Sequence, residues 1–306
     1  MRTNQWLLGL CAAMALAAGC RTPPPPPRID PVIERHVANA RNAYGADMTE
    51  RAADYFKQAL DRAHLLGDTG EIARNAYNLA VCLSRMKEWS AARTAWEEAD
   101  WAFRESGHRP SELMLLQVRI ARGAGRADVA RQLAAAYLEQ HPDGRRADTR
   151  RAEFQALLAA MLCDAQDYQS AADLLSTVDP SEINDKLVLA DLEQTRARIA
   201  RQRQTPREAA AAFDQAARLY QTTGQFNAMA DCLADAARMH AALGEPGAAA
   251  ERFYRAALSM RQQARPQEAM DLLELALPLA EHAGDEVLLR VLQATSEPPG
   301  AHEDTE

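Results

Sequence analysis

Past residue 30 the chain alternates between stretches with apolar residues at three- and four-residue spacing and short polar breaks. That spacing gathers the apolar side chains on one face of a helix. Breaks fall at Gly67-Asp68-Thr69-Gly70, Gly107 to Pro110, Gly123 to Gly125, Pro142-Asp143-Gly144, Asp179-Pro180, Thr205-Pro206, Gly224, Gly244 to Gly247, Pro266 and Gly284. Gly and Pro are disfavoured inside helices and favoured at their ends, so each cluster predicts a boundary. No stretch shows the two-residue alternation of a half-buried strand, so the pattern predicts an all-α chain.

The helical stretches repeat. A small residue is followed four positions later by a larger one, and three further on by another, usually Ala. This pattern appears as Ala52, Phe56, Ala59 and as Ala92, Trp96, Ala99. It returns more weakly as Ala130, Ala134, Tyr137 and Ala171, Leu175, Val178, then as Ala209, Phe213, Ala216 and Ala249, Phe253, Ala256. The leading alanines stand 40, 38, 41, 38 and 40 residues apart. Alanine lets a neighbouring helix come close, and the larger residue fills the space beside it.

These residues resemble the tetratricopeptide repeat, a pair of antiparallel helices. The clearest copy is residues 76 to 99, where Leu79 and Ala80 stand at the family's Leu-Gly, Leu83 at its Tyr, and Ala92, Trp96 and Ala99 match the second helix. A second copy has Leu158, Ala159 and Leu162, followed by Ala171, Leu175 and Val178. The resemblance covers about residues 31 to 295 and departs in period, near 40 where the family has 34, which implies longer helices. It implies about fourteen helices in seven hairpins, stacked as a right-handed solenoid in which neighbouring hairpins share one core. Phase is ambiguous near the end. Phe253, Ala256, Ala257 and Met260, followed by Ala269, Leu273 and Ala276, also fit one repeat, so the helix around 247 to 264 reads as either member of a pair.

The N-terminus differs. Arg2 precedes an apolar stretch from Trp6 to Ala18, interrupted only by Gly9 and too short to span a bilayer as a helix. It fits a secretory signal peptide over residues 1 to 19. Its end, Ala17-Ala18-Gly19-Cys20, resembles the bacterial lipobox, with Ala17 where Leu is usual. That resemblance implies acylation (palmitate included) of Cys20 as the first mature residue; a plain signal peptide with an incidental cysteine is the alternative. Pro23 to Pro27 would form an extended spacer, making residues 20 to 30 a linker. Arg21, rather than Asp, follows the cysteine, which by the same resemblance favours an outer membrane facing the periplasm. Residues 296 to 306 are polar and acidic and read as a disordered tail.

Composition narrows the partners. The 306 residues are 47% hydrophobic, enough for a packed core, with a formal charge of -8. Removing residues 1 to 19 deletes one arginine and no acid, leaving 34 bases against 43 acids, or -9. That balance opposes nucleic-acid binding, which needs clustered Lys and Arg. Cys82, Cys163 and Cys232 are far apart and odd in number, neither a disulfide framework nor a zinc spacing, and read as small buried residues.

No catalytic constellation emerges. Asp68-Thr69-Gly70 spells the aspartic-protease triplet but sits in a turn, where Asp or Thr caps the next helix. Gly123-Ala124-Gly125 is half a phosphate loop without a preceding strand, and the seven histidines include no pair at i+4. The chain reads as a non-enzyme without cofactor or metal.

Binding fits better. Solenoids of the resembled family offer an extended surface lined by the first helix of each pair. The aligned alanines put Arg74, Tyr77, Asn78, Val81 and Arg85 there, then Glu112, Arg119 and Arg122, then Asp191, Arg198 and Arg201, then Asp231 and Arg238. An arginine follows an acid by seven residues at Glu112–Arg119, Asp191–Arg198 and Asp231–Arg238. Such charges complement the helix dipole, each worth about 0.3–1 kcal/mol. Alternatively the arginines grip carboxylates or carbonyls of an extended partner segment. The family's carboxylate clamp would use Asn78, yet Glu112 and Leu116 stand where its cations would be.

The sequence thus points to a membrane-anchored adaptor in the bacterial envelope, binding proteins or extended peptide segments. A pilotin-like or outer-membrane-assembly lipoprotein is a narrower version. A structural homo-oligomer, with Trp89 or Trp101 as contacts, is another class. An envelope enzyme would need a catalytic domain for which residues 31 to 295 leave no room.

Overall fold

The computed structural model describes residues 30–142 and 149–296. Fourteen α-helices, one 3-10 turn and no strand lie among the described residues. They are α1 (Pro31–Gly45), α2 (Thr49–Leu66), α3 (Thr69–Arg85), α4 (Trp89–Glu105), α5 (Ser111–Gly123), α6 (Ala127–Gln140) and α7 (Thr149–Asp164). There follow α8 (Tyr168–Ser176), the 3-10 turn (Pro180–Glu182), α9 (Lys186–Gln202), α10 (Pro206–Thr222), α11 (Phe226–Ala242), α12 (Pro246–Gln262), α13 (Pro266–Ala283) and α14 (Glu286–Ser296). Each packs on the next, and α3, α5, α7 and α9 also meet one another along one side. The result is the all-α solenoid of hairpins that the repeat implies. Cys20, the linker up to residue 29, and the tail beyond residue 296 lie outside the described residues.

The repeat alanines are why these helices stack so closely. Ala52, Ala92, Ala130, Ala171, Ala209 and Ala249 are all 0% exposed, and Phe56, Trp96, Phe213 and Phe253 are buried beside them. Ala80, Ala99 and Ala159 are fully buried, Leu158 is buried, and Leu79 is half-buried. The Trp96 indole also donates 2.7 Å to the carbonyl of Leu113, tying α4 to the start of α5. Ala269, Leu273 and Ala276 of α13 are fully buried too. The ambiguous helix, α12, accordingly packs on both α11 and α13.

Helix ends follow local chemistry. The Asp68 carboxylate accepts from the Glu71 amide at 3.0 Å, the capping role expected of that triplet. Pro206, Pro246 and Pro266 open α10, α12 and α13, where a missing N–H costs nothing. Two expectations need correction. α8 ends at Ser176, before Val178, because Asp179 caps the 3-10 turn opened by Pro180. Trp89 is half-buried and not free for a partner: its ring lies over Gly123, where any Cβ would collide with it. Trp101 is 54% exposed.

Candidate functional site

The odd-numbered helices carry one acid in a shared register: Glu112 in α5, Glu153 in α7, Asp191 in α9, Asp231 in α11 and Asp271 in α13, at steps of 41, 38, 40 and 40 residues. Seven residues on stand Arg119, Ala160, Arg198, Arg238 and Pro278. These acids and arginines share one face. Across this face Asp191 of α9 feels the charges of Arg119 and Arg122 on α5, two hairpins away.

Within each helix the acid and its following arginine do not pair. Most of the pairs run between hairpins, and Arg74–Glu71, Arg150–Glu153 and Arg238–Asp235 lie within one helix. Glu112 meets Arg150 at 2.6 Å, and Arg150 also pairs with Glu153. Arg119 reaches Glu153 at 3.4 Å. Asp164 sits between Arg122 at 2.8 Å and Arg198 at 2.7 Å, linking α5, α7 and α9. Asp235 takes Arg201 at 3.1 Å and Arg238 at 2.7 Å, and Asp231 takes Arg265 at 2.9 Å. Arg85 pairs with Asp47 at 2.6 Å and lies over the Tyr44 ring at 5.1 Å, while Arg74 holds Glu71 at 2.5 Å. Exposed pairs of this kind contribute about 0.2–1 kcal/mol each, so the ladder adds little to the stability of the chain.

These carboxyls are shifted in opposite directions. Glu112 is held below the ordinary range, chiefly by its own backbone N–H, against burial and with help from Arg150. Burial pushes Glu153 up despite Arg150 and Arg119. Burial likewise raises Asp191, although the Tyr220 hydroxyl donates to it at 2.6 Å.

At the N-terminal end the face opens into a cavity of about 350 Å³ between α1 and α3. Tyr44, Phe56, Val81 and Cys82 give it apolar walls, and Arg41, Tyr77 and Asn78 supply polar groups. Arg41 makes no ion pair among the described residues, whereas Arg74 and Arg85 are engaged. Burial pushes the Cys82 thiol up to about 11, so it is an inert wall. Cys163 and Cys232 are buried and free as well. Among the described residues no group of His, Cys, Asp and Glu is arranged to hold a metal ion, and no helix is long and apolar enough to cross a membrane.

The structure therefore brings together Arg119, Arg122 and Arg198 through Glu153 and Asp164, and Arg201 with Arg238 through Asp235. It sets Tyr77 and Asn78 apart, in the cavity. Asp164, Asp235, Arg150 and Arg265, which pair with residues of this face, were not among the residues that the sequence pointed to. Their partners on other hairpins lie 34, 38 or 42 residues away, separations near the period of the alanine repeat.

Comparison with known proteins places this architecture. The profile of the soluble NSF attachment protein family, SNAP, matches residues 198–285. No match is found among curated protein sequences. The apo quorum sensor NprR from B. thuringiensis superposes with a TM-score of 0.58 at 13% identity, over 95% of this chain and 85% of that one. NprR in complex with its cognate peptide NprX gives 0.54 at 14% identity, over 96% and 86%. A tetratricopeptide repeat protein from Parabacteroides merdae gives 0.49 at 14% identity, over 86% and 100%. With its antiparallel hairpins, its buried alanine repeat and its likeness in shape to NprR, the chain has a tetratricopeptide-like helical-repeat fold.

Proposed function

We propose that this chain is a non-enzymatic adaptor, tethered to a bacterial envelope membrane through lipidated Cys20, whose odd-helix face binds extended segments of partner proteins. The observation that carries the reading is the make-up of that face. It combines an open cavity with aromatic and amide groups at one end and rows of charged side chains along the rest. Extended chains offer backbone carbonyls and amides for such groups and side chains for such a cavity. NprR, similar in fold, is known in complex with a peptide. The lipobox resemblance supports the tether, and Arg21 supports an outer membrane facing the periplasm.

A photo-crosslinking residue at Tyr77, compared with one at Trp101 on an even-numbered helix, tests the face. Partners captured from native membranes at Tyr77 and not at Trp101 support the adaptor. Capture at Trp101 alone refutes groove binding. Capture of a second copy of the chain instead favours a homo-oligomer, a reading encouraged by exposed Val287 (66%) and Leu275 (47%) near the C-terminal end. Mass analysis of the N-terminal fragment against a Cys20→Ser variant tests the anchor; an unmodified Cys20 removes it.

A further inference from the structure

The row of acids has an open rung at its half-buried Asp191. Glu112, Glu153 and Asp231 each take an arginine, and so do Asp164 and Asp235 lower in the same face. Asp191 takes none. Its nearest polar partner is neutral, the Tyr220 hydroxyl, which also lies 2.9 Å from Gln194. The cause lies in the repeat. Asp231 is satisfied by Arg265, 34 residues later, at the N-cap of α13. The same offset from Asp191 falls on Gln225, the N-cap of α11, which is exposed, uncharged and makes no side-chain hydrogen bond among the described residues. The distant charges of Arg119 and Arg122 reach Asp191 but are committed to Glu153 and Asp164, and Asp185 opposes them. Asp271 also lacks an arginine, but it is exposed and held by Gln267. Asp191 is half-buried, so its unpaired charge is worth more to a ligand.

We propose that Asp191 is the cation-binding point of the groove: it receives a lysine or arginine side chain of an extended partner segment, in the space that Arg265 fills one hairpin later. This rests on the groove reading above and names the chemistry of its ligand. The Tyr220 hydroxyl donates to one carboxylate oxygen at 2.6 Å, and the other oxygen takes no hydrogen bond among the described residues. A segment crossing the arginine pairs on either side gains a charge-assisted hydrogen bond here, at a half-buried acid that no arginine of the chain occupies.

The test selects short random peptides on the full chain, then remakes the selected sequences N-acetylated and C-amidated so that only side chains supply charge. Affinities are measured by calorimetry for each peptide and its Lys→Gln or Arg→Gln form. The proteins are the unaltered chain, Asp191→Asn, which keeps an acceptor for Tyr220, and Gln225→Arg, which supplies the missing rung internally. Circular dichroism and melting confirm that both variants fold. The expected result is a shared basic residue whose neutralisation costs about tenfold or more on the unaltered chain and little on either variant. Peptides that bind in the groove equally well to all three proteins overturn the role of Asp191 and leave the groove reading standing. A selection that yields no groove-binding peptide overturns both.

Discussion

The stretch α9 to α13 and the stretch α5 to α8 build the same solenoid from unequal pieces. In the first, every helix has 17 or 18 residues, and three-residue turns join them. In the second, the helices have 13, 14, 16 and 9 residues. Yet Ala130 and Ala171 in the uneven part are as fully buried as Ala209 and Ala249 in the even part. Helix length is thus free to vary as long as the close-approach points keep their spacing. The consequences appear elsewhere. One continuous core runs from Ala190 through α10 to α13 and reaches Leu292, whereas the hairpins before it hold smaller, separate clusters. Tyr137 and Phe154 stack at 3.7 Å to bridge α6 and α7, and the short α8 leaves a cavity of about 400 Å³ beside α9 and α10. The SNAP profile matches the even part.

The largest test removes one large core residue from each stretch. Phe213 is 1% exposed at the centre of the continuous core, and Phe213→Ala should cost about 3–5 kcal/mol. Leu175 is 4% exposed but already lines the cavity beside α8, whose walls can close further. Leu175→Ala should cost about 2 kcal/mol, the low end for such truncations. Urea unfolding of both variants checks the order. Equal losses would mean that the two stretches share one cooperative core.

Charge gives a smaller, sharper contrast. Asp214 in α10 receives Arg252 through two hydrogen bonds at 2.8 Å and approaches His240 at 3.2 Å, and its carboxyl titrates below the ordinary 3.8 although burial opposes this. A depressed carboxyl stabilises the fold fully above its unfolded value, and the contribution disappears as pH falls through the folded one. Asp214→Asn should therefore cost about 2 kcal/mol at neutral pH and progressively less in acid. Glu153 in α7 is raised by burial above its ordinary 4.5, so its ionisation opposes folding as pH rises. Glu153→Gln should change neutral stability by no more than about 0.5 kcal/mol and flatten the pH profile in the opposite sense. Stability measured from pH 3 to 7 reads both signs; a loss at Glu153 matching that at Asp214 would show that its arginines outweigh its burial.

What could be read beforehand follows the range of the forces involved. Ala52, Ala92, Trp96, Phe213 and Phe253 announce the core because burial imposes a local period. Asp68 and Pro206 announce helix ends because capping acts within a few residues. The turns at Asp47, Lys87 and Gln166 are less visible, since each puts a residue other than glycine at positive φ. The ion ladder is hidden further. Arg119 is legible as a groove residue, but its partner Glu153 lies 34 residues away and depends on how hairpins stack. The open site at Asp191 is visible only against the neighbour that is filled.

The smallest effect isolates the turns from everything else. Gly244 and Ala264 are the left-handed residues of successive turns, with φ of 74° and 56°. The geometry around them is the same: the amide of Glu245 bonds the carbonyl of His240 at 3.0 Å, and that of Arg265 bonds Met260 at 3.0 Å. A Cβ at Gly244 would meet nothing within 4 Å, so packing does not enter. Only the backbone cost of holding an L-residue left-handed remains, about 1–2 kcal/mol before the extra chain entropy of glycine is subtracted. Gly244→Ala should therefore destabilise by about 1 kcal/mol and Ala264→Gly should stabilise by a similar or smaller amount. The two melting shifts should be opposite in sign. Should Ala264→Gly destabilise instead, the alanine methyl contributes packing at that turn, and the regularity of α9 to α13 would depend on its side chains as well as its backbone.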